Sequence, residues 1–171
     1  MWILNSTEDC WNYGPNMIVS RCNPHTLVLD GMLFVLGGLD YPHHHSCHWM
    51  EVFDLGRGRW EALPSPPSLI NPYFMVSAAF EDTKEILVSS LQPKSKNDQY
   101  QTCVLYSYDV RARSWTKLKS PPFKLRGGGS DLTFNRAVVA ANTLHWFGLI
   151  TRLNWFSKPT IYLPMLGSRV V

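Results

Sequence analysis

Apolar residues in this chain come in short runs broken by turn-forming residues. Leu27-Val28-Leu29-Asp30-Gly31-Met32-Leu33-Phe34-Val35-Leu36 is an apolar run, an Asp-Gly pair and a second apolar run. That order predicts a two-residue β-hairpin, because both central residues of a type I′ turn need positive φ. Residues 137–147 repeat the layout around Ala141-Asn142, and residues 77–88 repeat it around a longer charged turn, Glu81-Asp82-Thr83-Lys84. The runs have strand length, and none approaches the ~18 apolar residues of a membrane-spanning helix.

Between the hairpins lies a second repeated element. Trp60-Glu61-Ala62-Leu63-Pro64-Ser65-Pro66-Pro67 matches Trp115-Thr116-Lys117-Leu118-Lys119-Ser120-Pro121-Pro122 in its Trp, Leu, Ser and both prolines, at a spacing of 55. Seven residues before each Trp stands an aromatic followed by aspartate, Phe53-Asp54 and Tyr108-Asp109. Weaker echoes are Trp11 with Pro15 upstream and Tyr162-Leu163-Pro164 downstream. A fixed period of this size is the mark of a repeat architecture. Each unit predicts four strands in an antiparallel meander.

Here the chain resembles the kelch family, whose repeat pairs two glycines at the end of the second strand with a Tyr and, seven residues on, a Trp. Gly37, Gly38, Phe53 and Trp60 fit that pattern, with Phe in place of Tyr; Tyr108 and Trp115 fit it again, with Ser89-Ser90 where the glycines belong. The last unit keeps Gly148 and Tyr162 and has no Trp. The resemblance implies an all-β, kelch-type β-propeller with four-stranded antiparallel blades, and core-packing roles for Phe53, Trp60, Tyr108 and Trp115. The expected layout is a partial blade over residues 1–13, full blades over 24–63 and 73–118, and a partial blade over 133–165. These hold about 13 strands, against the ~24 of a closed six-bladed ring. Met1 falls within what reads as a third strand, so the expectation is an incomplete propeller, a fragment of a longer protein. The alternatives are completion by another chain and a stable open arc.

Composition fits a globular, turn-rich β-protein, with 45% hydrophobic residues, 12 Pro and 11 Gly among 171. The start, Met1-Trp2-Ile3-Leu4-Asn5, is too short an apolar run for a secretory leader, so Asn5-Ser6-Thr7 is read as a chance glycosylation match. The cysteines Cys10, Cys22, Cys47 and Cys103 form no C-x-x-C pair and suggest no disulfide framework. A cytoplasmic or nuclear location follows as the expectation. Charge is uneven: residues 111–171 carry ten bases against the single acid Asp131.

In a meander, the connections between strands 2 and 3, and from strand 4 to the next strand 1, share one end of the sheet. These are the long connections here, and long loops on a rigid scaffold commonly carry binding residues. His43-His44-His45-Ser46-Cys47-His48 offers ligand types for zinc or copper, but in a cramped spacing that matches no zinc motif. No metal site is expected, and His44, His45 and His48 are read as candidate partner contacts. Arg126 in the basic stretch, and Trp155 and Phe156 in a late strand 2–3 connection, join them. The run from Arg111 to Arg126 suggests an acidic partner, yet Lys117 and Lys119 alternating on a fourth strand are better explained as protection of a sheet edge. Nucleic-acid and membrane binding are not expected. Arg126-Gly127-Gly128-Gly129-Ser130 lacks the G-K-[ST] ending of a phosphate loop.

The sequence contains no Ser-His-Asp order, paired carboxylates or H-E-x-x-H, so no catalytic residue and no cofactor are assigned. The reading is a non-catalytic protein-interaction module. By resemblance it is the substrate-recognition part of a ubiquitin-ligase adaptor, in which kelch repeats follow an F-box that these residues do not contain. The alternatives are part of a metal-dependent, galactose-oxidase-like propeller enzyme, and a truncated remnant without independent activity.

Overall fold

In the computed structural model, the residues described are 1–39, 48–68, 70, 75–91, 100–119, 124–126, 132–140, 143–150 and 161–164. All of their regular structure is β, and the chain divides into two compact units, Met1–Ser65 and Pro66–Val171.

The first unit opens with a hairpin of β1 (Trp2–Asn5) and β2 (Cys10–Tyr13). A four-stranded antiparallel meander follows, β3 (His25–Leu29), β4 (Met32–Leu36), β5 (Met50–Asp54) and β6 (Arg59–Leu63), in chain order across the sheet. The β3–β4 turn is made by Asp30 and Gly31 at φ of 55° and 70°, the backbone that the Asp-Gly pair predicts. β4 and β5 are buried on both faces: Phe34, Leu36, Met50 and Val52 on one side, Val35, Glu51 and Phe53 on the other. That explains why β4 reads as a continuous apolar run rather than an alternating one.

The second unit repeats the meander with β7 (Met75–Phe80), β8 (Glu85–Leu91), β9 (Tyr100–Asp109) and β10 (Ser114–Leu118). One face gathers Ala78, Phe80, Leu87 and Leu105, with Leu118 packed against them. β9 is long enough for two partners: Leu105–Asp109 pairs with β10, and Tyr100–Thr102 pairs with a short strand, β11 (Lys124–Arg126). A three-stranded meander, β12 (Leu132–Ala140), β13 (Thr143–Ile150) and β14 (Ile161–Pro164), completes the unit. The described residues therefore hold 14 strands in open antiparallel sheets. A ring of four four-stranded blades, the smallest propeller, needs about 16.

Two expectations change. Between the blades expected at 73–118 and 133–165 the layout has only a connection, but β11 lies there and takes Arg126 into a strand. Trp60 and Trp115, expected in the core, are half-buried; the fully buried rings are their cross-strand partners Phe53 and Tyr108. The reason is position. β6 and β10 are edge strands of their sheets, so each indole packs on a buried ring while part of its own surface stays exposed; the Trp60 indole N–H also donates to the Pro15 carbonyl at 3.1 Å.

The glycine doublet and the serine doublet also act differently. Gly37 and Gly38 take φ of 64° and 67° and end β4, and a Cβ on Gly38 would lie 2.6 Å from the Cys22 carbonyl oxygen. Ser89 and Ser90 stay extended, and β8 runs on through Leu91 opposite Cys103. By register, Ser90 and Leu91 rather than Ser89 and Ser90 stand where Gly37 and Gly38 do, and because a Cβ resists the left-handed region the second sheet keeps its strand where the first bends.

Candidate partner-binding end of the first sheet

Register fixes what each end of the first sheet carries. At one end, Leu36, Met50 and Leu63 lie side by side, and the long β4–β5 connection leaves from there. At the other end, Met32, Asp54 and Arg59 align beside the two tight turns. The β5–β6 turn is fixed locally: Asp54 Oδ1 accepts the N–H groups of Gly56 (2.9 Å) and Arg57 (3.0 Å), and the Gly58 N–H reaches the Asp54 carbonyl (2.8 Å). In the second unit Asp109 Oδ1 accepts from Arg111 and Ala112, both at 2.8 Å. Aspartate recurs after each strand 3 aromatic because its side chain mimics a backbone turn. In the β1–β2 hairpin Asn5 accepts from Thr7 in the same way, at 3.0 Å.

The stems of the β4–β5 connection are held closely. The Gly37 N–H donates to the Trp49 carbonyl (2.9 Å), and the Trp49 N–H to Ser65 Oγ (3.4 Å). A buried ion pair lies beneath them: Arg21 Nη2 is 2.7 Å from Glu51 Oε1, and neither side chain is exposed. Arg21 also donates to the carbonyls of Gly37 (2.7 Å), Trp49 (3.0 Å) and His48 (2.6 Å). Sequence reasoning assigned nothing to Arg21 or Glu51. The available signal was an acid inside the otherwise apolar Met50-Glu51-Val52-Phe53 of β5.

Of the candidate contacts, His48 is exposed at the foot of this connection. His44, His45, Trp155 and Phe156 lie outside the described residues, as does the expectation that the histidine and Trp155 connections share one face. Arg126 is opposite Tyr100 in the β9–β11 ladder.

Among the described residues, no three His, Cys, Asp or Glu side chains converge as a metal site, and no helix is long and apolar enough to cross a membrane. Burial pushes the Cys103 thiol up to about 11, partly offset by its contact with Ser89 Oγ at 2.8 Å. Burial also lowers the pKa of His25.

Comparison with known proteins agrees with the repeat. The kelch motif is matched over residues 20–67. An F-box/kelch-repeat protein of Arabidopsis thaliana is 42% identical over 66 residues, covering 39% of this chain and 17% of its own length. A second is 28% identical over 158 residues, covering 74% of this chain and 40% of its own. A third Arabidopsis sequence, named for the same two elements, aligns over 96% of this chain and 50% of its own, at 24% identity. The chain spans half or less of the length of each of these relatives.

Proposed function

We propose that this chain, which belongs to the kelch-repeat family, is a non-catalytic protein-interaction module that receives a polypeptide partner at the long-connection end of its blades. The observation that carries the reading is the kelch motif over residues 20–67 together with relatives named as F-box/kelch-repeat proteins. The sheet geometry supports it. Tight turns capped by Asp54 and Asp109 close one end of each four-stranded sheet, and the long connections, with room for sequence-specific contacts, leave from the other. Within a longer polypeptide that carries an F-box, as the names of the relatives describe, the module serves as the substrate-recognition part of a ubiquitin-ligase adaptor in the cytoplasm or nucleus.

The test is differential capture. Tagged chain is compared with a variant carrying alanine at His44, His45, His48, Arg126, Trp155 and Phe156, and with a control carrying alanine at Arg57 and Arg111 in the tight turns. A polypeptide retained by the parent and the control but lost from the six-residue variant supports the reading. Equal recovery from all three, or loss only from the turn control, contradicts it.

A further inference from the structure

We infer that Arg21 is the positioning residue of the β4–β5 connection: its guanidinium, anchored on Glu51, ties the two stems of that connection to each other and to the segment entering the blade. Every guanidinium N–H is used. Nε and Nη2 donate to Glu51 Oε1 at 3.1 and 2.7 Å, Nη1 donates to the carbonyls of Gly37 and Trp49, and Nη2 to that of His48. Gly37 precedes the connection, whereas His48 and Trp49 follow it, so one planar group spans both stems. Glu51 in turn accepts the backbone N–H groups of Ile18 (2.7 Å) and Val19 (3.2 Å), and the adjacent Cys22 N–H reaches the Gly38 carbonyl at 2.6 Å.

Two considerations separate this role from general stabilisation. A buried ion pair repays its desolvation poorly, and apolar replacements are often neutral, whereas a five-donor planar fork fixes geometry. Among the described residues, the second unit also builds the same meander without an arginine–glutamate pair at the matching positions. At the position of Glu51, 55 residues on, stands Tyr106, whose hydroxyl meets Ser68 Oγ at 2.6 Å in the incoming segment. At the position of Arg21, counted from the matching prolines Pro15 and Pro64, stands the buried Ile70. An entering segment is thus latched to strand 3 in both units. The arginine adds a clamp on the stems in the first. That the clamped connection carries partner contacts rests on the function proposed above; the clamp itself does not.

Hydrogen exchange read by mass spectrometry on the full chain tests this, without any partner and so independently of that reading. Two variants are compared with the parent: Arg21→Lys, which keeps a charge beside Glu51 but loses the fork, and the double variant Arg21→Met/Glu51→Met, which removes the charges together. Exchange across residues 37–39 and 48–50 is expected to quicken roughly tenfold or more, as loss of charge-assisted hydrogen bonds implies. Peptides of the β3–β4 hairpin and of β7–β8 are expected to keep their parental rates. Unchanged exchange at the stems overturns the inference, and so does an equal quickening in the β3–β4 hairpin, which would make the pair a general stability element. If the double variant does not fold, the Arg21→Lys comparison decides by the same two criteria.

Discussion

Phe53 lies directly across the β5–β6 ladder from Trp60, with ring centroids 5.1 Å apart, and Tyr108 stands in the same relation to Trp115 at 5.0 Å. The inner ring of each pair is buried and the outer one is half open. The pair is therefore a plug with a lid, and its two members differ in weight.

Truncating the plug leaves a cavity; truncating the lid mostly exposes surface. Phe53→Ala is expected to cost about 3–5 kcal/mol, and Trp60→Ala about 1–3 kcal/mol, less than a fully buried Trp would. Urea melts of the two variants check the order. A larger loss from Trp60→Ala would contradict it.

Gly38 and Gly31 both have positive φ, but only Gly38 is crowded by backbone, at the Cys22 carbonyl and Pro24. Gly31→Ala is expected to lose about 1 kcal/mol from the left-handed backbone alone, and Gly38→Ala clearly more, about 2–4 kcal/mol. Chemical denaturation of each variant is the measurement.

Asp54→Ala and Asp109→Ala each remove an acceptor of two turn N–H groups, and each is expected to cost about 1 kcal/mol. Asparagine at either site keeps the acceptor and should restore most of the loss. Thermal melts compared across alanine and asparagine variants read this out.

Cys103 is buried with its pKa raised from 9.0 to about 11, whereas Cys22 is exposed. A thiol reagent at pH 7.5 should modify Cys22 in the native chain and reach Cys103 only on unfolding. The sign of the linkage follows. The thiol's contribution to stability is complete below about pH 9 and declines as the pH rises towards 11, because the unfolded state ionises first. Native labelling of Cys103 as fast as Cys22 would show that its part of β9 opens.

What the sequence shows plainly is local or periodic. The Asp30-Gly31 turn, the strand 3 aromatic with its aspartate, and the Trp seven residues on all act within one hairpin, so a repeat displays them. Arg21 and Glu51 are hidden because they meet across 30 residues, where neither period nor turn chemistry links them. β11 is hidden because Lys124-Leu125-Arg126 carries too little apolar pattern to signal a strand. It is specified by its partner, the extended start of β9. The half-exposure of the tryptophans follows from which strand is an edge, a fact of assembly that the repeat does not encode.

The most direct test of where a partner docks uses the two ends of β5. A photo-crosslinking amino acid is placed at His48, before the strand, or at Arg57, in the turn after it; both positions are exposed. The chain is irradiated in cells, and crosslinked polypeptides are identified by mass spectrometry. A specific crosslinked polypeptide from position 48, absent or much weaker from position 57, is the predicted result. Crosslinking that is equal at the two positions, or stronger at 57, would contradict the assignment of the long-connection end as the binding end.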